Sequence, residues 1–449
     1  MNRPVFKSHC FLNNLRLEKA VLFSCILKSE KPLNRRLSQK TQSNRHNFGE
    51  TVDILGEHYQ TDHLTNITPA IISKVGRNLH NVPFHPLNLI YKRIEAYFHQ
   101  TFLRRGNPVF SAYNRLSPIV TLEQNFDSLL VPPNHVSRSP SDTYYINSKY
   151  MLRAHTSAHQ RDLIRSGLDS FLVAGDVYRR DAVDSTHYPV FHQVEGVRLF
   201  SDFELFSKYP ESSNLKLFEV GQREGNKQET HILETSHLVG SDLKKSLEGL
   251  MQSLFGEDLQ MRWVEAFFPF THPSWELEIF HQGQWVEMLG CGIMEQKLVD
   301  SSGAINKAGW AFGMGLERLA MKLYSIPDIR LFWSTDSGFL SQFQGKDCKD
   351  KITYKPVSKY PQCVNDISFW IPQNFSSNDF YDLVRSVSED LIEQVELIDE
   401  FTHPKTKRSS HCYRITYRHM EKTLTQEEVN AVHKQIESDA ASKLGVEIR

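Results

Sequence analysis

The sequence lacks the marks of several common protein classes. Its 449 residues contain no GxxxxGK[ST] pattern, which excludes a P-loop nucleotide site. Its six cysteines form no CxxC pair, so a zinc ribbon or disulfide framework is not expected and reduced intracellular thiols are favoured. Excess charge of one sign is also missing (52 basic against 53 acidic residues), so any affinity for nucleic acid must come from local patches. The length allows two or three domains with cores of their own.

Acidic residues are scarce at the amino terminus. Residues 1–45 carry many lysines and arginines but only Glu18 and Glu30. The apolar run 20–27 is too short to span a bilayer and charged residues flank it, so no membrane anchor is expected. A basic, acid-poor leader is typical of organelle import. A disordered basic tail is the alternative. A secretory signal is not favoured, because the segment shows no small-residue cleavage site.

The stretch 171–200 organises the first part of the chain. It predicts two strands joined by a polar loop of about ten residues, because both flanks are rich in Phe, Val, Leu and Tyr. In the second strand Phe191, Gln193 and Glu195 share one face. A buried face with an amide and a carboxylate suits a ligand that carries an ammonium and an anionic group. The alternative is an exposed sheet face with surface charge pairs.

The first strand ends in two adjacent arginines, Arg179 and Arg180, which point to opposite faces. Only one of them can join the Gln193 and Glu195 surface, and alternation alone does not decide which. A third arginine, Arg318, follows GMG and lies roughly 150° from the apolar stripe of its predicted helix at about 100° per residue. It also occupies the third glycine position of GxGxxG, which excludes a Rossmann fingerprint.

Three further segments contain candidate residues. His155 and His159 have HxxxH spacing, but Thr156 replaces the glutamate of a metalloprotease, so no metal site is predicted. Ser157 is equally suited to a ligand contact or, with Gln160, to a capping box. Phe268 and Phe270 lie two apart in a predicted strand, where core packing is the alternative to binding. Gly290 and Gly292 permit a close backbone approach.

Helical spacing is clearest in two places. Pro86 precedes apolar residues Leu87, Tyr91, Ile94 and Phe98 of a helix that Gly106 can end, and four leucines between 243 and 254 indicate a packing helix.

The end of the chain has its own pattern. After a polar linker at 341–361, the order strand, helix, strand, strand, helix, strand predicts a ferredoxin-like α/β sandwich. A segment around its third strand is basic and interleaved with Tyr413 and Tyr417, as in RNA-binding surfaces that combine phosphate contacts with base stacking. A solvated charged face is the alternative. The candidate tRNA-binding residues are Lys405, Lys407, Arg408, Arg414 and Arg418.

Several of these segments together resemble one family. VYRRD with FHQVEG is similar to motif 2 of the class II aminoacyl-tRNA synthetases, and GMGLER is similar to motif 3. THYPVFHQ, HTSAHQ, FPFTHPSWE and GCGIM resemble the phenylalanyl-tRNA synthetase family, and SKYPQCVNDISFW resembles the start of the anticodon-binding domain of its single-chain organellar members. The resemblance covers the chain from about residue 51 to its end. One departure is Asp181, where the family has a glutamate.

The resemblance implies an α+β fold: a class II antiparallel sheet flanked by helices, plus the ferredoxin-like domain. It implies a phenylalanine–tRNA ligase that uses ATP and Mg²⁺ to form phenylalanyl adenylate and transfers phenylalanine to the terminal adenosine of tRNA(Phe) in organellar translation. The expected divisions are an import leader at 1–45, a catalytic domain at 46–345, a linker at 346–356 and an anticodon-binding domain at 357–449. A monomer in the mitochondrial matrix is expected, without membrane contact, protein-bound metal or editing domain.

The resemblance also implies residue roles. Arg179 matches the motif 2 arginine on the α-phosphate, and Arg318 matches the motif 3 arginine near the γ-phosphate; both are the expected catalytic residues. Phe191 matches the ring that stacks on adenine, and His187 lies near the phosphates. The phenylalanine-binding positions are His155, Ser157, Gln193, Glu195, Phe268, Phe270 and Ala311. A catalytically silent RNA-binding relative and a ligase for another small acid remain the competing functions.

Overall fold

Two domains follow one another in the computed structural model, which describes residues 49–207, 215–334, 337–356, 360–388, 391–419 and 422–449. The predicted import leader at 1–45 lies outside the described residues. The strands of the first domain are β1 (Thr51–Ile54), β2 (Glu57–Gln60), β3 (Leu103–Arg104), β4 (Asn107–Pro108), β5 (Ser111–Tyr113), β6 (Ile119–Thr121), β7 (Tyr150–Leu152), β8 (Ser170–Tyr178), β9 (Val190–Phe200), β10 (Met261–Phe268), β11 (Thr271–His281), β12 (Gln284–Met294) and β13 (Ala308–Gly315).

The helices of this domain are α1 (Pro69–Ile72), α2 (Pro86–Thr101), α3 (Leu122–Asn125), α4 (Gln160–Arg165), α5 (Asp202–Phe206), α6 (Leu233–Phe255), α7 (Gln296–Ser301), α8 (Leu316–Tyr324) and α9 (Ser337–Leu340). Short 3-10 helices span Leu79–Asn81, Asp127–Leu129, Val136–Arg138, Thr156–His159 and Ile329–Trp333.

The first domain is built on a seven-stranded sheet in the order β10-β11-β12-β13-β9-β8-β5. Neighbouring strands are antiparallel except β5, which pairs with β8 in parallel at the edge. Every residue of β8 is buried, as its nearly continuous apolar sequence favours for a central strand. The predicted α+β class and the antiparallel sheet flanked by helices are therefore confirmed.

The long helices cover one face of this sheet. Pro86 stands in the first turn of α2, where its missing N–H costs no hydrogen bond, and the apolar stripe that includes Ile94 and Phe98 is fully buried. The predicted leucine stripe of α6 is buried too. The predicted stop of α2 is wrong: the helix ends at Thr101, and Gly106 lies at the turn between β3 and β4, where its φ of +83° suits glycine.

The second domain has the predicted ferredoxin-like order. Its elements are β14 (Cys363–Trp370), α10 (Ser377–Ser388), β15 (Ile392–Thr402), β16 (Ser409–Tyr417), α11 (Gln426–Leu444) and β17 (Glu447–Ile448). They form an antiparallel sheet in the order β15-β16-β14-β17, with Ile367, Phe369, Tyr413 and Ile415 buried in a core shared with both helices. The expected linker packs on the first domain, since Tyr354 N donates to Tyr324 O (2.7 Å).

The second domain packs directly against the loop between β8 and β9. Val183 of that loop is buried in the second domain's core, and its carbonyl accepts a hydrogen bond from Val395 N (2.9 Å). Arg180 pairs with Asp379 (2.9 Å) and Asp382 (3.3 Å) of α10. The loop that joins the two central strands is therefore held by both domains.

Candidate active site

A pocket opens on the face of the large sheet away from α2 and α6. It encloses about 250 Å³ of space that protein atoms do not fill, part of it open to solvent. The residues that line it come from the strands β9 to β13, from the turn between β10 and β11, and from the 3-10 helix Thr156–His159 with the start of α4: Ser157, Gln160, Glu195, Phe268, Phe270, Thr271, Gly290, Cys291, Ala311, Phe312 and Gly313.

Two glycines make the pocket. Strand pairing places Glu195 opposite Gly313, Gly313 opposite Gly290, and Gly290 opposite Glu276. These four positions form one row across the sheet, and its middle has no side chains. A small molecule can therefore rest on the sheet between the two carboxylates.

Glu195 is the polar group at one end of this row. It is 3% exposed, and its carboxylate accepts hydrogen bonds from Ser157 Oγ, from Gln160 Nε2 (2.5 Å) and from Thr156 Oγ1 (3.3 Å). Burial raises the pKa of Glu195 to about 7, although these hydrogen bonds lower it. No cation is bonded to this carboxylate among the described residues. A bound ammonium group would supply one.

Two of the sequence alternatives are settled by these contacts. The exposed-face reading is wrong, because Gln193 and Glu195 are buried. The capping-box interpretation of Ser157 is also wrong: Ser157 lies inside the 3-10 helix Thr156–His159, and its hydroxyl donates to Glu195 and does not cap a helix by accepting from a backbone N–H. Sequence analysis considered Gln160 only as a capping partner and missed its contact with Glu195.

His155 and Gln193 lie beside the pocket rather than in its lining. The Gln193 side-chain oxygen accepts from Thr156 N (3.4 Å), and the His155 ring lies 6.3 Å from that of Phe270. Burial, with Arg179 and His159 nearby, lowers the pKa of His155 to about 3, so its imidazole is neutral at physiological pH. Within the described ranges, His155 Nδ1 and Gln160 Oε1 are buried without a hydrogen-bond partner.

Phe268 and Phe270 form the apolar wall. Their rings are parallel within 11°, with centroids 6.0 Å apart, at the turn between β10 and β11. Ala311 of β13 lies with them in the same buried cluster. Strand alternation points the side chains of Cys291 and Phe312 into the opposite core, so these two line the pocket mainly with backbone.

The adjacent residues Arg179 and Arg180 make different contacts. Arg179 Nε donates to Ala154 O (2.8 Å), and its guanidinium lies 5.2 Å from the centre of the Phe191 ring. Arg180 turns the other way, to α10 of the second domain. The structure thus brings Arg179 to the surface that carries Phe191, the choice that alternation left open.

Arg318 faces the strands β11 and β12. Its Nη1 donates to Glu287 O (2.9 Å) and lies 3.8 Å from the Glu287 carboxylate. Burial and the carboxylates of Glu287 and Glu278 raise the pKa of Glu276 to about 7, while Arg318 lowers it. Burial also raises the pKa of Glu287, which both Arg318 and Arg179 lower. The two arginines therefore converge on Glu287, and this carboxylate pair was missed in the sequence.

His187 lies in the loop between β8 and β9. Its Nδ1 is 2.5 Å from Asp184 Oδ2, and Asp184 also accepts from the backbone of Thr186 and His187. Burial raises the pKa of Asp184, but the contacts with His187 and Thr186 outweigh it and bring that pKa to about 2. His187 Nε2 is buried without a partner among the described residues.

The basic candidates of the second domain are not one continuous strip. Lys405 and Lys407 lie exposed between β15 and β16, whereas Arg408 pairs with Glu447, Arg414 with Asp366 (2.9 Å) and Arg418 with Glu393 (3.0 Å). Tyr413 and Tyr417 are fully buried, so the expectation that they interleave on an RNA surface is wrong. Trp370, with Arg408 5.0 Å from its ring centre, lies on the open sheet face instead.

The described part of the chain contains neither a cluster of metal-ligating side chains nor a membrane-spanning helix. No group of three or more His, Cys, Asp or Glu side chains there could hold a metal ion. No helix described for this chain is long and apolar enough to cross a membrane.

Comparison with known proteins identifies the class. Residues 71–207 and 229–343 match the family model of the tRNA synthetases class II core domain (F), and residues 358–449 match the ferredoxin-fold anticodon binding domain. Together these matches cover most of the chain, and they coincide with the two domains of the structure. The chain is therefore a class II aminoacyl-tRNA synthetase in its core domain and its fold.

Similar full-length proteins narrow the class to one family. The mitochondrial phenylalanine–tRNA ligase of Mus musculus is 58% identical over 403 residues, covering 89% of each chain. The probable mitochondrial enzyme of Drosophila melanogaster is 52% identical, covering 89% of this chain and 92% of its own. The chloroplastic/mitochondrial enzyme of Arabidopsis thaliana is 48% identical, covering 87% and 84%. The chain belongs to the phenylalanine–tRNA ligase family.

Proposed function

We propose that this chain activates phenylalanine with ATP in the pocket between Glu195 and Phe268 and transfers it to tRNA(Phe). The observation that carries the proposal is a buried carboxylate, with no cationic partner among the described residues, at one side of an apolar space with aromatic walls. Glu195 supplies the charge partner for an ammonium group, while Phe268 and Phe270 supply the surface for an aromatic ring. Phenylalanine combines these two groups.

The adenylation step needs no protein nucleophile. A carboxylate oxygen of phenylalanine forms a bond to the α-phosphorus of ATP, and the bond from that phosphorus to the pyrophosphate oxygen breaks. We assign Arg179 to the α-phosphate and Arg318 to the γ-phosphate, since guanidinium groups stabilise the charge that develops there. Phe191, with Arg179 beside its ring, would stack on adenine, and His187 would contact the phosphates.

Magnesium accompanies ATP in this proposal. Sequence analysis predicted no protein-bound metal, but Glu276 and Glu287 would hold the ion, because both carboxylates are crowded, have raised pKa values and face the arginine assigned to the γ-phosphate. Glu287 Oε1 is buried without a partner among the described residues. Mg²⁺ typically uses one or two carboxylates together with substrate phosphates, so a larger protein cage is not needed. When bound, the ion neutralises phosphate charge.

Selectivity for phenylalanine over other amino acids would come from the apolar wall of the pocket, formed by Phe268 and Phe270. Aromatic pairs stabilise by about 0.5–1.5 kcal/mol beyond burial, which favours phenylalanine over aliphatic amino acids. Tyrosine would bring a hydroxyl into a space lined at Phe268, Phe270 and Ala311 by carbon atoms. A buried hydroxyl without a partner costs about 1–3 kcal/mol, so tyrosine should be disfavoured.

The second domain would bind tRNA. Its match to anticodon-binding domains supports this role, and the exposed Lys405 and Lys407, with Arg408, Arg414 and Arg418, are the proposed contacts. The proposed divisions remain 46–345 for catalysis, 346–356 for the linker and 357–449 for tRNA binding. The names of the relatives support a mitochondrial location. We propose the matrix as the compartment and a monomer as the working form.

The test is ATP–pyrophosphate exchange with each of the twenty amino acids in turn. The proposal expects exchange with phenylalanine, weak exchange with tyrosine and none with aliphatic amino acids. Exchange with a different small acid would indicate a ligase of another specificity. No exchange with any amino acid, combined with retained tRNA binding, would indicate a catalytically silent RNA-binding protein.

A further inference from the structure

A buried carboxylate ties the start of helix α8 to strand β9. Glu317 Oε2 accepts a hydrogen bond from His192 N (2.8 Å), and Glu317 Oε1 lies 2.7 Å from His192 Nδ1. Glu317 is 2% exposed and His192 is fully buried. A carboxylate oxygen accepts hydrogen bonds, and Nδ1 of the imidazole is placed to donate one to it. One side chain thus fixes both the backbone and the ring of its partner.

This contact lies behind the sheet, away from the pocket. In β9, His192 points to the helix-covered face, while its neighbour Phe191 points to the ATP side. The His192 ring is enclosed there by the rings of His80, 5.3 Å away, and Trp333, 6.0 Å away. The imidazole therefore cannot shift to follow a displaced glutamate, which makes it a fixed anchor for α8.

The anchor sets the rotation of the first turn of α8. Pairing with β9 ends at Gly315, opposite Gln193, so the sheet ladder does not control the helix that follows. Glu317 and Arg318 are consecutive in that first turn. Because residues of a helix are about 100° apart around its axis, holding Glu317 against His192 directs Arg318 toward Glu287 and the site.

We propose that Glu317 is a positioning residue for ATP binding. Without contacting the nucleotide, Glu317 sets the distance between Phe191 of β9 and Arg318 of α8. This inference rests on the ATP-binding roles proposed for Phe191 and Arg318. Residues 191 and 192 are adjacent in one element, as are 317 and 318 in the other. A single buried bridge therefore aligns two groups that would lie on either side of the nucleotide.

The test is steady-state ATP–pyrophosphate exchange by the full chain carrying Glu317→Gln. The amide can accept only one of the two hydrogens of His192 and turns its NH₂ group toward the other. KM for ATP should rise about tenfold, with KM for phenylalanine within about twofold of wild type. Glu317→Asp, whose side chain is one methylene shorter, should raise KM for ATP by a smaller factor. It replaces Glu317→Gln in the test if the glutamine variant does not fold.

A matched control removes a comparable carboxylate contact elsewhere. Asp242 of α6 accepts from Trp310 Nε1 (2.8 Å) and from Arg198 (3.1 Å), remote from the proposed ATP groups. Asp242→Asn should lower the melting temperature and leave KM for ATP unchanged. If Glu317→Gln and Asp242→Asn lower the melting temperature alike and neither raises KM for ATP selectively, Glu317 is merely structural and the inference is overturned.

A double-mutant cycle separates this inference from the proposed site. Phe191→Leu alone should raise KM for ATP, and adding Glu317→Gln should raise it by less than the product of the single effects, because both act on the same alignment. If Phe191→Leu leaves KM for ATP unchanged, the proposed ATP site is wrong. If it raises KM but the two effects multiply fully, only the positioning role of Glu317 is wrong.

Discussion

Gln160 Nε2 lies 2.5 Å from Glu195 Oε1, and this contact joins the first residue of α4 to the strand β9. Ser157 donates to the other oxygen of the same carboxylate. Neutral donors hold Glu195 in place without neutralising its charge, so the carboxylate stays available to a cationic ligand. The proposed ammonium site is therefore held in place by the protein's own hydrogen bonds.

The ionisation of Glu195 predicts a pH dependence for phenylalanine binding. Burial raises the pKa of this carboxyl from 4.5 to about 7, so below that pH the folded protein carries a neutral group where the ammonium should bind. KM for phenylalanine should fall about tenfold between roughly pH 6 and pH 8 as the carboxylate forms. Pyrophosphate exchange at saturating ATP measures this profile.

The control for that profile is Glu195→Gln. This variant should raise KM for phenylalanine by about 10- to 100-fold at pH 8, because a charged hydrogen-bond partner is lost. It should also flatten the dependence between pH 6 and pH 8. The same steep profile in the variant would assign it to another group, such as Glu276, whose pKa is also raised to about 7.

The raised pKa of Glu195 also predicts how the free energy of unfolding changes with pH. Because the Glu195 pKa is raised in the folded state, the ligand-free folded chain binds more protons than the unfolded chain between about pH 4.5 and 7. The contribution of this group to the free energy of unfolding therefore falls as pH rises through that window. Urea unfolding of the wild type and of Glu195→Gln at several pH values measures this contribution. If the free energy of unfolding of the variant falls with pH as steeply as that of the wild type, the prediction is contradicted.

Much of the site follows from strand alternation alone. The period of two placed Gln193 and Glu195 on one face, and the cost of burying them indicated a polar ligand. Alternation could not choose between Arg179 and Arg180, because that depends on how a second domain packs against the loop. It could not reveal Glu276 and Glu287 either, since their role follows from the pairing of β11 with β12 across the sheet.

Local patterns failed where tertiary contacts override them. Ser157 and Gln160 have the spacing of a capping box, but a buried carboxylate competes for both side chains. Tyr413 and Tyr417 lie among basic residues in the sequence, yet their shared strand face packs against the helices of the second domain. The ferredoxin-like order of that domain was predictable because its apolar periods change cleanly from two to 3.6.

Phe270→Leu tests the aromatic wall. The change keeps an apolar side chain but removes the ring, so KM for phenylalanine should rise about 2- to 12-fold while KM for ATP stays unchanged. Phe267→Leu is the matched control, because Phe267 is 55% exposed and lies one residue before the wall. Equal effects of both variants in the exchange assay would contradict a wall at Phe270.

Arg180→Ala tests the contact between the two domains. Among the described residues, the substitution leaves Asp382 of α10 with only the Tyr144 hydroxyl as a hydrogen-bond partner (2.7 Å), and breaking a buried pair costs about 3 kcal/mol. The melting temperature should fall clearly. Arg414→Ala, which breaks an exposed pair with Asp366, should change it little. A fall of the same size in both variants would count against a specific role of Arg180.

Lys405 and Lys407 predict how tRNA binding depends on salt. These two lysines are exposed in one turn, whereas Arg408, Arg414 and Arg418 already have acidic partners. Replacing both lysines by alanine should weaken tRNA(Phe) binding and reduce the slope of log K against log salt by about two. Alanine at Lys245 and Lys297 of the first domain provides the control pair. An unchanged slope would show that Lys405 and Lys407 do not contact the tRNA.

Arg179→Ala is the most direct test of the account, in which this guanidinium holds the phosphate that phenylalanine attacks. The measurement is phenylalanine-dependent ATP–pyrophosphate exchange, with Arg262→Ala as a folded control on the far edge of the sheet. Exchange should be abolished in Arg179→Ala and kept in Arg262→Ala. Near wild-type exchange by a correctly folded Arg179→Ala protein would contradict it.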